Sequence, residues 1–278
     1  MSIITFWSEN EKAIGQTIST ITTATTMAIE HNYKILLISL DFNNRVIENC
    51  FGAQDSNKEI VNSLFGEKQI NLDSGINGLL KIANSNRVTP EIIHDYTKII
   101  FKNRLEVLYP PMDLDSEEKI NNFLTDMKVI ILNAARYYDQ VFVDLKKGFG
   151  YVGQSDILNI SDVVVLNVDQ NIDKINEMLK FQDINKINNK TIWNICKYDK
   201  NSKYNTKNLS RKFLKNQLVG QTDYNTLVLD ASQEGELVEL LLRFKTLREV
   251  DNNFEFMKNS KDLTEKILLK YQETRGRI

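Results

Sequence analysis

The sequence predicts an α/β fold, a doubly wound and mostly parallel sheet with a C-terminal helical tail. Two observations carry that expectation. Strand-forming runs at 3–7, 34–41, 140–144 and 163–168 are apolar on nearly every residue, as in strands buried on both faces of a parallel sheet. They alternate with stretches of helical periodicity, the pattern of crossover-connected strands. Right-handed crossovers put the loops after such strands on one edge. Gly15, Asp41, Asp144 and the pair Tyr198 and Asp199 are therefore expected around one crevice.

Taken in order, residues 3–7 form the first strand and 8–16 a polar loop containing Gly15. Residues 17–30 hold few helix breakers and lead into the second strand, 34–41. Residues 48–71 suit helical and loop segments, with Val61, Leu64 and Phe65 on one face. A turn-rich link at 73–78 precedes a helix begun by Ile76, Leu79, Leu80 and Ile82. Thr89, Pro90 and Glu91 signal another helix start, and Ile92, Ile93, Tyr96, Ile99 and Ile100 continue at helical spacing. A short strand at 105–108 is stopped by Pro110 and Pro111.

Residues 116–137 form a long helix whose apolar positions are Ile120, Phe123, Leu124, Met127, Ile130, Ile131 and Ala134. The strand 140–144 ends in a carboxylate and runs into a flexible loop, 146–150. The strand at 163–168, an amphipathic helix at 171–186 and a strand at 191–196 follow. Residues 205–216 read as a basic helix, 227–229 as a final short strand, and Leu237, Leu240, Leu241 and Phe244 as a helix face. A helix at 262–271 closes the chain, and Trp7 and Trp193 belong to the core. The division is a main domain, 1–248, and a helical tail, 249–278.

Composition bounds the function. With 278 residues, 42% of them hydrophobic, one large domain is the simplest count. A net charge of -2 gives no global pull toward nucleic acid or anionic lipid, local patches aside. Cys50 and Cys196 build no disulfide or zinc framework. The absence of a signal peptide and of an apolar run of about 18 residues points to a soluble, cytoplasmic chain. Three Pro and 11 Gly argue against linkers and repeats. His31 and His94 stand isolated and receive no role.

Residues 10–17 stand where a phosphate loop of the form G-x-x-x-x-G-K-[ST] would lie. Gly15 and Thr17 match it; Asn10 and Gln16 replace the first glycine and the lysine. Glu9 and Glu11 add negative charge, worth ~4 kcal/mol of repulsion per pair at about 4 Å, which Lys12 or a metal ion would relieve. Gly15, Gln16, Thr17 and Ile18 offer backbone amides at a helix N-terminus, which carries roughly half a positive charge. A plain strand-to-helix turn fits the same residues. The Thr17 hydroxyl and Asp144 suit magnesium, which keeps waters and takes few carboxylates; Asp144 equally suits a strand-end cap. Asp41 is a candidate for catalysis or for ordering the loop behind it.

Two surface stretches stand out. Lys197, Lys200, Lys203, Lys207, Arg211, Lys212 and Lys215, with Tyr198 and Tyr204, form a basic run. It suits either a solvated helix face or a contact with an acidic protein, DNA phosphates or a membrane. The tail at 260–278 carries Leu263, Ile267, Leu268 and Tyr271 in a narrow stripe, suited to docking on the chain itself or on a partner, or to an interfacial helix.

Residues 1–44 resemble the ParA/MinD family of P-loop ATPases, whose second strand reads V-L-L-I-D-x-D; here residues 35–41 fit, with Ser39 at the first acid. Tyr138 and Asp139 followed by Asp144 resemble the family's Walker B strand, and the resemblance covers about 3–244. It implies a homodimer with a protein partner and an ATP and magnesium site at Lys12, Gly15, Gln16, Thr17 and Ile18, with Asp41 and Asp144 as acids. The family's two loop lysines fall on Glu11 and Gln16, and its adenine-contacting Asn on Cys196. That pattern implies weak or lost nucleotide binding. The altered loop, Tyr198 and Asp199, and the turn at Gln233, Glu234 and Gly235 look most like the TadZ/CpaE branch, which localises Tad (Flp) pilus secretion machinery at a cell pole. The resemblance thus implies a localisation scaffold. A partition-type ATPase binding DNA through Lys207, Arg211 and Lys215, and a MinD-like regulator binding membrane through the tail, are the other two classes.

Overall fold

The computed structural model describes residues 1–9, 14–42, 45–52, 76–83, 89–110, 114, 116–148 and 150–276. Lys12, with Asn10 and Glu11, lies outside them, as do Val61, Leu64 and Phe65. The strands are β1 (Ser2–Trp7), β2 (Ile35–Ser39), β3 (Lys98–Phe101), β4 (Leu105–Leu108), β5 (Gln140–Asp144), β6 (Val163–Val168), β7 (Thr191–Tyr198) and β8 (Leu218–Asp223). They form one sheet in the order β3-β4-β2-β5-β1-β6-β7-β8, in which only the β3–β4 pair is antiparallel. The expected doubly wound sheet is present.

Helices cover both faces. Strand side chains alternate between faces, and the two resulting cores divide accordingly. Ile3, Trp7, Leu36, Ile38, Val141 and Val143 pack with α3 (Ile76–Ala83), α5 (Glu117–Ala134), α6 (Val152–Ile160) and α7 (Ile172–Ile184). Ile4, Phe6, Ile35, Leu37 and Phe142 pack with α1 (Gln16–Glu30), α2 (Val46–Cys50), α9 (Thr226–Glu234), α10 (Leu237–Lys245) and α11 (Phe254–Arg275). Burial on both faces is why these strands read as unbroken apolar runs. Ser116 caps α5 by accepting from the Lys119 amide.

Four expectations are corrected. Residues 227–229 are not a strand. Asn225 caps α9 there by accepting from the Val228 amide, and only Val228 of the three is buried, the pattern of a helix face. The last strand is β8. Ile99 and Ile100 do not continue α4 (Pro90–Asp95); they form β3, where β-branched side chains fit the pleat. The basic helix is shorter, α8 (Thr206–Lys212), with Lys207, Arg211 and Lys215 exposed. The closing helix α11 is longer than its narrow stripe suggested, and Phe256, Met257, Leu263 and Ile267 are buried in the chain's own core. Among the described residues no helix is long and apolar enough to cross a membrane.

Candidate functional site

The carboxyl ends of β1, β2 and β5 meet at one level. Asp144, last in β5, is in register with Phe6 on β1 and Ser39 on β2. Three loops leave from here, toward α1, α2 and α6. The sheet thus brings Gly15, Thr17, Asp41 and Asp144 together. Tyr198 and Asp199 go elsewhere. Tyr198 packs against the core beneath the sheet, and the Asp199 amide donates to Gln170. Lys197, beside them, turns into the crevice with φ 48°.

Helix α1 opens on Gly15, whose φ of 100° lies in the left-handed region. Among the described residues no side chain caps the helix, and its first turn holds no acid, so the amide end is available to an anion. Ile18 lines the crevice behind it.

Gln16, at the position of the missing lysine, turns inward. It is fully buried, and its Nε2 donates to Asp144 Oδ1 and to the Leu145 carbonyl, both at 2.7 Å. The amide thus donates to two acceptors without bringing a positive charge to the phosphate side of the loop. Among the described residues, Gln16 Oε1 and Asp144 Oδ2 are buried without hydrogen-bond partners. Burial pushes the Asp144 carboxyl up to about 6, with Lys147 pulling down and Asp41 adding to the rise.

Among the described residues, a buried cation reaches the site from a different loop. Lys147 Nζ lies 2.9 Å from Asp41 Oδ2 and 3.5 Å from Thr17 Oγ1, and Lys147, Asp41 and Thr17 are all at least nine-tenths buried. The adjacent Lys146 is equally buried and sets its ammonium over the Phe42 and Tyr151 rings, 4.8 and 5.4 Å from their centroids. The loop, expected to be flexible, is hydrogen-bonded in place. The Gly148 amide donates to the Ser8 carbonyl, and Gln154 Nε2 donates to the carbonyls of Lys146 and Gly148. Sequence reasoning missed Lys147. The available signal was two lysines directly after a buried strand's terminal acid, a place where buried ammonium groups need partners.

Cys196, the expected adenine-contacting position, is buried, with its thiol toward Asn167 Oδ1 at 3.4 Å and its pKa pushed up by burial. A cavity of about 280 Å³ opens between α1, α2 and α9. Its lining includes the polar Thr17, Lys147, Lys197 and Asp223 and the apolar Ile18, Val46, Val228 and Leu229.

Magnesium at Thr17 and Asp144 fits this arrangement poorly. Lys147 already contacts the Thr17 hydroxyl and the Asp41 carboxylate. A divalent ion about 4 Å from that ammonium meets a repulsion of ~8 kcal/mol at an effective dielectric near 20.

No protein-family model matches the sequence, and no curated protein matches it. Solved structures do. The septum site-determining protein MinD from Pyrococcus horikoshii, complexed with Mg-ADP, superposes with a TM-score of 0.66 at 13% identity, covering 97% of this chain and 99% of its own. A ParA family ATPase from Chlorobium tepidum gives 0.65 at 14% identity, covering 95% and 98%. The MinC:MinD cell division complex from Aquifex aeolicus gives 0.62 at 16% identity, covering 96% of each. The fold is that of the ParA and MinD ATPases.

Proposed function

We propose that the chain is a ParA/MinD-like scaffold that dimerises and recruits a protein partner, and that it does not turn over ATP efficiently. The observation that carries this reading is Gln16, which is spent on Asp144 and the Leu145 carbonyl where a phosphate-binding lysine would stand. Phosphoryl transfer depends on positive charge placed at the γ-phosphate in the transition state. An inward amide supplies none at the place of the missing lysine. A partner of the protein class is supported by the fold shared with MinD of the MinC:MinD complex. Polar localisation of pilus secretion machinery rests on the altered loop and on the residues 233–235, where Gly235 ends α9 at φ 79°.

The test is phosphate release from ATP and magnesium by the purified chain, with light scattering for the oligomer. No turnover above buffer and a dimer are expected. Magnesium-dependent turnover abolished by Asp144→Ala would overturn the non-hydrolysing reading. Salt-sensitive, ATP-dependent DNA binding lost on neutralising Lys207, Arg211 and Lys215 would instead favour a partition ATPase.

A further inference from the structure

We propose that the Lys147 ammonium takes the place of a divalent cation, so that the crevice binds a nucleoside phosphate without any metal ion. The inference rests on reading the crevice as non-hydrolysing, and it concerns binding alone.

The argument is geometric. Lys147 is nine-tenths buried yet lines the cavity. Its ammonium stands between the Thr17 hydroxyl and the Asp41 carboxylate. An ammonium has three donors and no acceptor. Among the described residues Asp41 and Thr17 engage two, which leaves one for a phosphate oxygen at the mouth of α1. Asp41 is then a positioning residue, holding the charge where an arriving anion meets it. The uncapped amides after Gly15 supply the second half of the cradle, and Lys197 stands exposed at its rim. The wall of Ile18, Val46, Val228 and Leu229 gives a flat, apolar body a place to lie, which suits a nucleoside better than free phosphate. A magnesium ion brought in with the ligand would meet the tethered ammonium at close range, so the two cations exclude each other.

Titration calorimetry on the full chain tests this with ATP and ADP as probes, each in excess EDTA and in excess magnesium. Binding of at least one nucleotide in EDTA is expected, and excess magnesium, which competes for the phosphates, should leave it unchanged or weaker and never strengthen it. Lys147→Met should weaken it by at least about tenfold, equivalent to ~1.4 kcal/mol. Because that variant strands Asp41, the double variant Lys147→Met with Asp41→Asn keeps the test sound; circular dichroism confirms its fold, and it should be as weak. Lys147→Ala, which vacates the position beside Thr17, should make binding depend on magnesium. Binding abolished by EDTA, a double variant as tight as wild type, or no binding of either nucleotide would each overturn the proposal. Phosphate release in the same samples separates the two readings. Turnover overturns the non-hydrolysing scaffold, whereas metal-dependent binding without turnover overturns only the inference drawn here.

Discussion

Removing Lys147 from its pair with Asp41 should cost the fold several kcal/mol, removing Asp41 less, and removing both less than removing Lys147 alone. The groups are 2.9 Å apart, with side chains 7% and 9% exposed. At an effective dielectric near 20, two unit charges at that distance attract by ~6 kcal/mol. Desolvation offsets part of this, and breaking a buried pair by deleting one partner costs about 3–5 kcal/mol. The two single variants are not equivalent. In Lys147→Met, Asp41 and Asp144 both lose their nearby cation, so the loss should reach the upper part of that range. In Asp41→Asn the ammonium keeps Thr17 and the field of Asp144, so the loss should be smaller, about 1–2 kcal/mol. The double variant should recover most of the difference. Urea unfolding of the four proteins, combined as a double-mutant cycle, gives the coupling directly. A coupling below about 0.5 kcal/mol, the level of an exposed ion pair, would refute the picture of a buried, balanced cation.

Three further outcomes are expected. Gly153→Ala should destabilise the protein by about 1–3 kcal/mol, because its new Cβ would lie 2.5 Å from Leu124 Cβ where α6 crosses α5; since alanine carries the same Cβ, urea unfolding should show the penalty persisting in a Leu124→Ala background. Burial pushes the Glu106 carboxyl up, but hydrogen bonds from Tyr138, His94 and Thr97 outweigh it and hold the group below its ordinary 4.5. Its contribution is therefore full above that value and is lost as pH falls through the lower folded value; urea midpoints measured from pH 7 to 3 should fall less steeply for Glu106→Gln than for wild type. Burial pushes the Cys50 thiol up to about 12 and that of Cys196 higher, so a thiol reagent should label neither in the native protein and both in urea.

The sheet was legible because burial on both faces writes itself into consecutive apolar residues, as at Ile35, Leu36, Leu37 and Ile38. Where a strand is a half-exposed edge the signal fades. Ile99 and Ile100 of β3 have the spacing of a helix face and sit instead in a four-residue edge strand. Leu227, Val228 and Leu229 mimic a buried strand by composition, and only the cap at Asn225 betrays the helix. At the site, Gly15, Thr17, Asp41 and Asp144 were found because strand ends converge by topology alone. Lys147 was not, since its partners Thr17 and Asp41 lie 130 and 106 residues away in sequence and no local pattern encodes that meeting. The inward turn of Gln16 was hidden for the same reason: its partner Asp144 comes from another strand.

Lys146 and Lys147 grip two consecutive residues of the neighbouring loop, Phe42 and Asp41, one through a ring and one through a carboxylate. Two rungs at successive positions form a clasp, and a clasp resists sliding and twisting where a single contact would act as a swivel. The exits of β2 and β5 are therefore one mechanical body. Gln154 extends that body into the first turn of α6 by holding the carbonyls of Lys146 and Gly148. There Gly153 lies so close to Leu124 that no methyl group fits between the helices, leaving no slack to absorb a displacement. A pull on Lys147 in the crevice is thus a pull on the outer helical layer.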